Sequence, residues 1–138
     1  MEKINLNVGE TFSFAKTFTE TDAYLYAGIS GDFFPLHINE EYAKKTRVGT
    51  RVIYGTLTFS LASTVSGLAA VKTGQDCVSM CYNNLRFLKP VFHGDTITAT
   101  YTIVELDEKR MRSMAKCSMT NQHGDVVLTC DHILKIID

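Results

Sequence analysis

The chain has 138 residues, 45% of them hydrophobic, 21% charged and 10% aromatic, the profile of one folded domain rather than a linker, tail or fibre. Fourteen Lys and Arg against fifteen Asp and Glu leave a formal charge of −1, so no net basic field exists to hold a nucleic acid backbone or an anionic membrane. A chain of this length buries roughly 68% of the surface its unfolded form exposes, enough for a core without metal or disulfide staples.

In chain order, the stretch from Glu10 to Thr19 alternates, with Phe12, Phe14 and Phe18 on or near one phase, and predicts a strand. Thr21 or Asp22 then caps a short helix through Tyr24, Tyr26 and Ala27 that ends at Gly28 or Gly31. A second short helix follows Asn39, its cap, with Glu40 and Glu41 in the first turn, where the helix dipole favours them. Between these helices lies the loop from Ser30 to His37. From Gly55 to about Lys72 the apolar spacing is helical, charge is nearly absent and small residues abound, so this helix is expected to be wrapped by a sheet. After Gly74 the period changes to two. Strands are expected over Cys77–Leu88, Thr96–Glu105, Met111–Thr120 and Val126–Ile136, punctuated by Pro90, His93-Gly94-Asp95 and Asn121-Gln-His-Gly124. The layout is α+β, an antiparallel sheet curled round one long central helix, in a single domain spanning 1–138. Its open sheet edges predict a homodimer or a higher homo-oligomer.

The amino terminus lacks the basic head and apolar run of a signal peptide, and the least polar stretch, Gly55 to Val71, is interrupted by hydroxyl residues. A cytoplasmic, unanchored protein is expected. Cys77, Cys81, Cys117 and Cys130 are then expected to be thiols, mostly small buried hydrophobes, since no second pair supplies a zinc-like spacing; no metal site is expected.

Within six residues the loop supplies a carboxylate, Asp32, and an imidazole, His37, separated by a Phe-Phe-Pro-Leu bend that Pro35 restricts. Such a pair can hold one water and act as an acid/base site. Equally, Asp32 can serve as a turn residue for local amides and His37 as a cap for the next helix. His93 and His123 read as exposed hairpin residues and His132 as a structural strand residue. Arg47, Arg51, Arg86 and Lys89 read as solvated surface charges.

The longer string Tyr26-Ala-Gly-Ile-Ser-Gly-Asp-Phe-Phe-Pro-Leu-His37, followed by Arg51-Val-Ile-Tyr-Gly-Thr-Leu57, resembles the hydratase motif of the MaoC-like, (R)-specific enoyl-CoA hydratase family. The segment Phe87-Leu-Lys-Pro-Val-Phe-His-Gly-Asp95 is also similar to that family, and the likeness runs from about Gly9 to the carboxyl terminus. The resemblance implies a hotdog fold, a place in fatty acid metabolism, and reversible addition of water to a trans-2-enoyl thioester to give a (3R)-3-hydroxyacyl thioester. It implies a coenzyme A or acyl carrier protein thioester as substrate and no separate cofactor. Carried over residue by residue, Asp32 and His37 hold the catalytic water, and the Gly55 N–H at the start of the long helix receives the developing enolate oxygen. Ser63 falls where relatives have a serine near the pocket. Two positions depart from the motif: Phe34 stands for an Asn and Tyr54 for a His, so Phe34, Tyr54 and Ser63 are assigned to the substrate pocket. Two other functions share the fold, a non-catalytic acyl-thioester-binding subunit or sensor and an acyl-CoA thioesterase.

Overall fold

In the computed structural model, which describes residues 3–137, the chain alternates between one sheet and four helices. Strand β1 (Thr11–Thr17) is rich in β-branched and aromatic residues. Helix α1 (Glu20–Ser30) is capped by Thr19, two residues before the first of the expected caps. The Thr19 hydroxyl accepts from the Asp22 amide at 3.4 Å while the Asp22 carboxylate accepts from the Thr19 amide at 2.9 Å, a reciprocal capping box that neither Thr21 nor Asp22 could form as cap. It ends at Gly31, whose φ of 75° is the left-handed conformation that a side chain would oppose, so Gly28 is passed through. Helix α2 (Pro35–Ile38) opens on its proline, and α3 (Glu40–Ala43) is capped by Asn39, whose side chain accepts from the Tyr42 amide at 3.1 Å. The long helix is α4 (Gly55–Thr73).

Four strands follow: β2 (Cys77–Phe87), β3 (Thr96–Asp107), β4 (Arg112–Thr120) and β5 (Val126–Ile136), within two residues of the predicted bounds. All pairings are antiparallel and the order is β1-β3-β4-β5-β2, so the first and second strands in sequence are the two edges. The alternation predicted for β3, β4 and β5 is real: Ile97, Ala99, Tyr101 and Ile103, then Ala115, Cys117 and Met119, are buried at every second position. They pack on Leu61, Ala62, Val65 and Ala69 of α4, whose small side chains let the sheet come close. The expectation that α4 is wrapped holds for that face only. Thr56, Ser60, Ser63, Gly67, Leu68 and Val71 stay exposed, Val71 at 81%, because five strands curl over one side of the helix and do not close round it. No described helix is long and apolar enough to cross a membrane.

The four cysteines are free thiols. Cys117 and Cys130 face each other across β4 and β5 in the core, where their mutual hydrogen bond and burial push the Cys117 thiol far up. Beside them, His132 is structural, as its strand alternation implies. It is 0% exposed, with Nδ1 2.6 Å from the Tyr101 hydroxyl and Nε2 2.9 Å from the Ser79 hydroxyl. Burial raises the Tyr101 pKa, so its hydroxyl keeps the proton and donates to Nδ1; the imidazole proton is then on Nε2 and is donated to Ser79.

Burial lowers the His132 pKa to about 4 from an ordinary value of 6.5. The unfolded chain therefore takes up a proton that the folded chain refuses, so stability is full above pH 6.5 and falls as the pH drops toward 4, by about 3 kcal/mol from this one group. Urea unfolding of wild type and His132→Gln at pH 7 and pH 4.5 should show the wild type losing the larger part of its stability. Equal losses in the two proteins would contradict the assignment.

Candidate active site

The loop between α1 and α2 is held from both sides. Arg51, expected to be a solvated charge, is 17% exposed at its side chain and ties two helices together: its Nη1 is 2.6 Å from Glu20 Oε1 in α1 and its Nε 3.1 Å from Glu40 Oε2 in α3. Nη1 also donates to the Tyr24 hydroxyl at 2.9 Å, and the Thr50 hydroxyl donates to Glu40 at 2.8 Å. The Tyr24 hydroxyl and Arg51 both hold the Glu20 carboxyl below its usual range, and the Thr50 hydroxyl, with Arg51, does the same for Glu40. Arg51 is thus committed to internal pairs. Lys89 makes only an exposed pair with Asp125 at 3.2 Å, a contact of little energetic weight, and Arg47 and Arg86 are exposed.

Inside this clamp, Asp32 does what a turn residue does: its Oδ1 accepts from the Phe34 amide at 3.1 Å, and its own amide donates to the Ser30 hydroxyl at 3.1 Å. Its other carboxylate oxygen receives no hydrogen bond from a described residue and the side chain is exposed. His37 caps nothing, since Asn39 takes that role. Its Nδ1 is 2.9 Å from the Val52 carbonyl, an atom that can only accept, so Nδ1 carries a proton and Nε2 is left without a hydrogen-bond partner among the described residues. The two side chains make no direct hydrogen bond to each other. Tyr54 touches both residues, its ring stacking on the imidazole with centroids 4.0 Å apart and its hydroxyl donating to the Asp32 backbone carbonyl at 2.5 Å. Phe34 stands edge-on to the same imidazole at 5.8 Å and to Tyr42 at 6.2 Å.

A cleft of about 280 Å³ opens beside His37, walled by Gly55, Thr58, Phe87, Pro90 and Leu128. Lys89 stands in its wall, and Asp32 does not line it. Gly55 begins α4 against the Phe87 ring: a Cβ there would lie 2.8 Å from a ring carbon, so any side chain at this position must displace that ring. Tyr54, the residue before it, gives no capping hydrogen bond, and the first-turn amides of α4 face this region without a side-chain acceptor. Ser63 lies about 12 Å further along α4 by helix rise, exposed on the open face.

His93 is the residue the sequence misplaced. Instead of standing exposed in a hairpin, it is half-buried with its Nε2 3.1 Å from the His37 carbonyl, and its Nδ1 is buried without a partner. Burial first, and then the Arg51 charge, lower its pKa, so it is neutral and donates from Nε2. A bridge between Val52 and Phe92 brings the segments together, as does the Ile53 amide donating to the Val91 carbonyl at 2.7 Å. Only the run of apolar residues on both sides, Val52-Ile-Tyr and Pro90-Val-Phe, hints at this pairing in the sequence.

Residues 4–125 match the family model described as MaoC like domain. Among curated proteins, the chain is 40% identical over 126 residues to the (R)-specific enoyl-CoA hydratase of Rhodospirillum rubrum, covering 90% of this chain and 83% of that one. It is 33% identical over 133 residues to the 3-hydroxybutyryl-CoA dehydratase of Methylorubrum extorquens, covering 96% and 82%. Among solved structures, the (R)-hydratase from A. caviae involved in PHA biosynthesis superimposes with a TM-score of 0.88 at 27% identity, over 96% of this chain and 98% of that one. These likenesses span both the sheet with its long helix, which is therefore a hotdog fold, and the loop from Asp32 to His37. The chain belongs to the MaoC-like domain family.

Proposed function

We propose that the protein is a carbon–oxygen lyase that adds water reversibly to a trans-2-enoyl-CoA and yields a (3R)-3-hydroxyacyl-CoA. The observation that carries the reading is the Nε2 of His37, without a partner among the described residues and fixed by the Val52 carbonyl, at the wall of a cleft shared with the start of α4. The similarity to an (R)-specific enoyl-CoA hydratase and a 3-hydroxybutyryl-CoA dehydratase supports it. In this scheme a water sits between His37 Nε2 and the free carboxylate oxygen of Asp32. One of the two takes the water's proton as its oxygen bonds to the β-carbon, and that proton is then passed to the α-carbon, so both side chains finish in the state in which they began. Negative charge gathers on the thioester oxygen between these events, and the Gly55 N–H, with the positive end of the α4 dipole behind it, stabilises that charge. Addition of water neither oxidises nor reduces the substrate overall, so the scheme calls on no redox cofactor.

Phe87, Pro90 and Leu128 give the cleft an apolar lining suited to the acyl chain or the pantetheine arm, with Lys89, Arg86 and Arg47 available to coenzyme A phosphates or to an acyl carrier protein. Edge strand β2 presents Val78 and Met80 to solvent, and the open face of α4 presents Leu68 and Val71, so a homodimer is the assembly that would cover them. A reducing cytoplasmic setting suits the four free thiols.

With crotonyl-CoA and longer enoyl-CoA substrates, loss of the conjugated thioester absorbance should accompany wild-type turnover. Asp32→Asn and His37→Gln should each lower kcat by about 100-fold or more. Release of free thiol at the same rate, read with a thiol-trapping dye, would make the protein a thioesterase instead. Tight acyl-CoA binding without turnover would make it a binding subunit. Gly55→Ala, which keeps the backbone N–H but forces the Phe87 ring aside, should cost about tenfold in kcat/KM with Asp32 and His37 intact; an unchanged value would show that substrate does not use this wall of the cleft. Light scattering should give twice the chain mass, and a strict monomer would refute the dimer.

A further inference from the structure

Asp32 and His37 sit in different backbone settings, one in the turn after α1 and the other in α2, and no hydrogen bond joins their side chains. What joins them is a third side chain from a distant part of the sequence. Tyr54 is 1% exposed; its ring lies on the His37 imidazole at 4.0 Å with 27° between planes, and its hydroxyl donates to the Asp32 carbonyl at 2.5 Å. The ring is backed by Tyr26, 4.7 Å away, whose own hydroxyl lies 2.5 Å from Thr56 Oγ1 in the first turn of α4. Tyr54 is also the residue before Gly55, in the N-cap position of α4, so its backbone moves with the amides at that helix start.

We propose that Tyr54 is a positioning residue that holds Asp32, His37 and the Gly55 amide in one fixed arrangement, an inference that rests on the hydratase reading above. One rigid ring contacts the imidazole, its hydroxyl fixes the turn that carries the carboxylate, and its backbone leads into the helix start. Ring atoms have no freedom relative to one another, so the separation of the three groups is set by two torsions of a single buried side chain. The hydroxyl is not an acid in the reaction. It already donates its only proton to a carbonyl, and burial, followed by the charges of Asp32 and Tyr26, raises its pKa and keeps that proton in place. The aromatic box is completed by Phe34, edge-on to the imidazole at 5.8 Å, so the two positions that depart from the motif meet on the same ring.

Tyr54→Phe removes one oxygen and leaves the stack. With crotonyl-CoA it should lower kcat by about tenfold while KM stays within about threefold. Tyr54→Leu, which loses stack and hydrogen bond, should lower kcat by about 100-fold. A residue that only packs would behave differently: both variants would lose folded fraction while kcat per folded molecule stayed at the wild-type value. Amide hydrogen exchange reads the same point without turnover, and in Tyr54→Phe the amides of Phe33 and Phe34 should exchange faster while those of α4 beyond its first turn do not change. Should Tyr54→Phe fail to fold, Tyr26→Leu loosens the ring from behind and should give the same split in milder form, about threefold in kcat. Wild-type kinetics and wild-type exchange in Tyr54→Phe overturn the proposal. If the wild type hydrates no enoyl-CoA, the hydratase reading falls and exchange alone decides the positioning, with unchanged Phe33 and Phe34 amides counting against it.

Discussion

Helix α4 begins without a side-chain cap, and the arrangement of the site follows from that. A Ser, Thr, Asp or Asn at the N-cap would satisfy one of the free amides and contribute about 1 kcal/mol to the helix. Tyr54 occupies the position instead and sends its side chain away from the helix start, onto His37 and the Asp32 turn. The helix survives the loss because its stability comes from elsewhere: Leu61, Ala62, Val65 and Ala69 are buried under the sheet. The first-turn amides are thereby left to a ligand, in a place where the dipole and the open N–H groups both favour negative charge.

A start of this kind is useful only if the loop opposite stays still, and the loop is too short and too exposed to hold itself. Asp32, Phe33 and Phe34 are exposed, and α2 is a single turn. Rigidity is imported through Arg51, which pins α1 and α3 on either side, through His93, which donates to the His37 carbonyl, and through Val52, which accepts from His37 Nδ1. Each of these contacts comes from the segments 51–54 and 91–93, which pair with one another through Val52 and Phe92. The loop and the helices on either side of it are therefore referenced to the two segments that meet at this short bridge.

That route explains what could be read in the sequence and what could not. Strands β3 to β5 were legible because one face is buried along their length, so a period of two is written into residue type at every second position. The length of α4 was legible from its lack of charge, but its orientation was not: small residues line both its buried and its open face, so composition alone suggested complete wrapping. Asp32 and His37 stood out because they are close in sequence and flanked by Gly31 and Pro35. Tyr54 and His93 were not legible as partners of His37, because their roles depend on contacts across 17 and 56 positions that no local pattern encodes. Arg51 looked like a surface charge for the same reason; its partners Glu20 and Glu40 lie 31 and 11 positions away.

The aromatic surroundings of His37 also bear on what the ring can do. The imidazole of His37 is stacked on Tyr54 and met at an edge by Phe34, and with Nδ1 bonded to Val52 its Nε2 is the ring's one unpartnered polar atom among the described residues. The Tyr54 stack, the Phe34 contact and the Nδ1 hydrogen bond all restrict rotation of the ring, so the aromatic surroundings act on where Nε2 points. For a reaction in which one ring nitrogen and one carboxylate oxygen must meet the same water, direction is the property with the greater leverage.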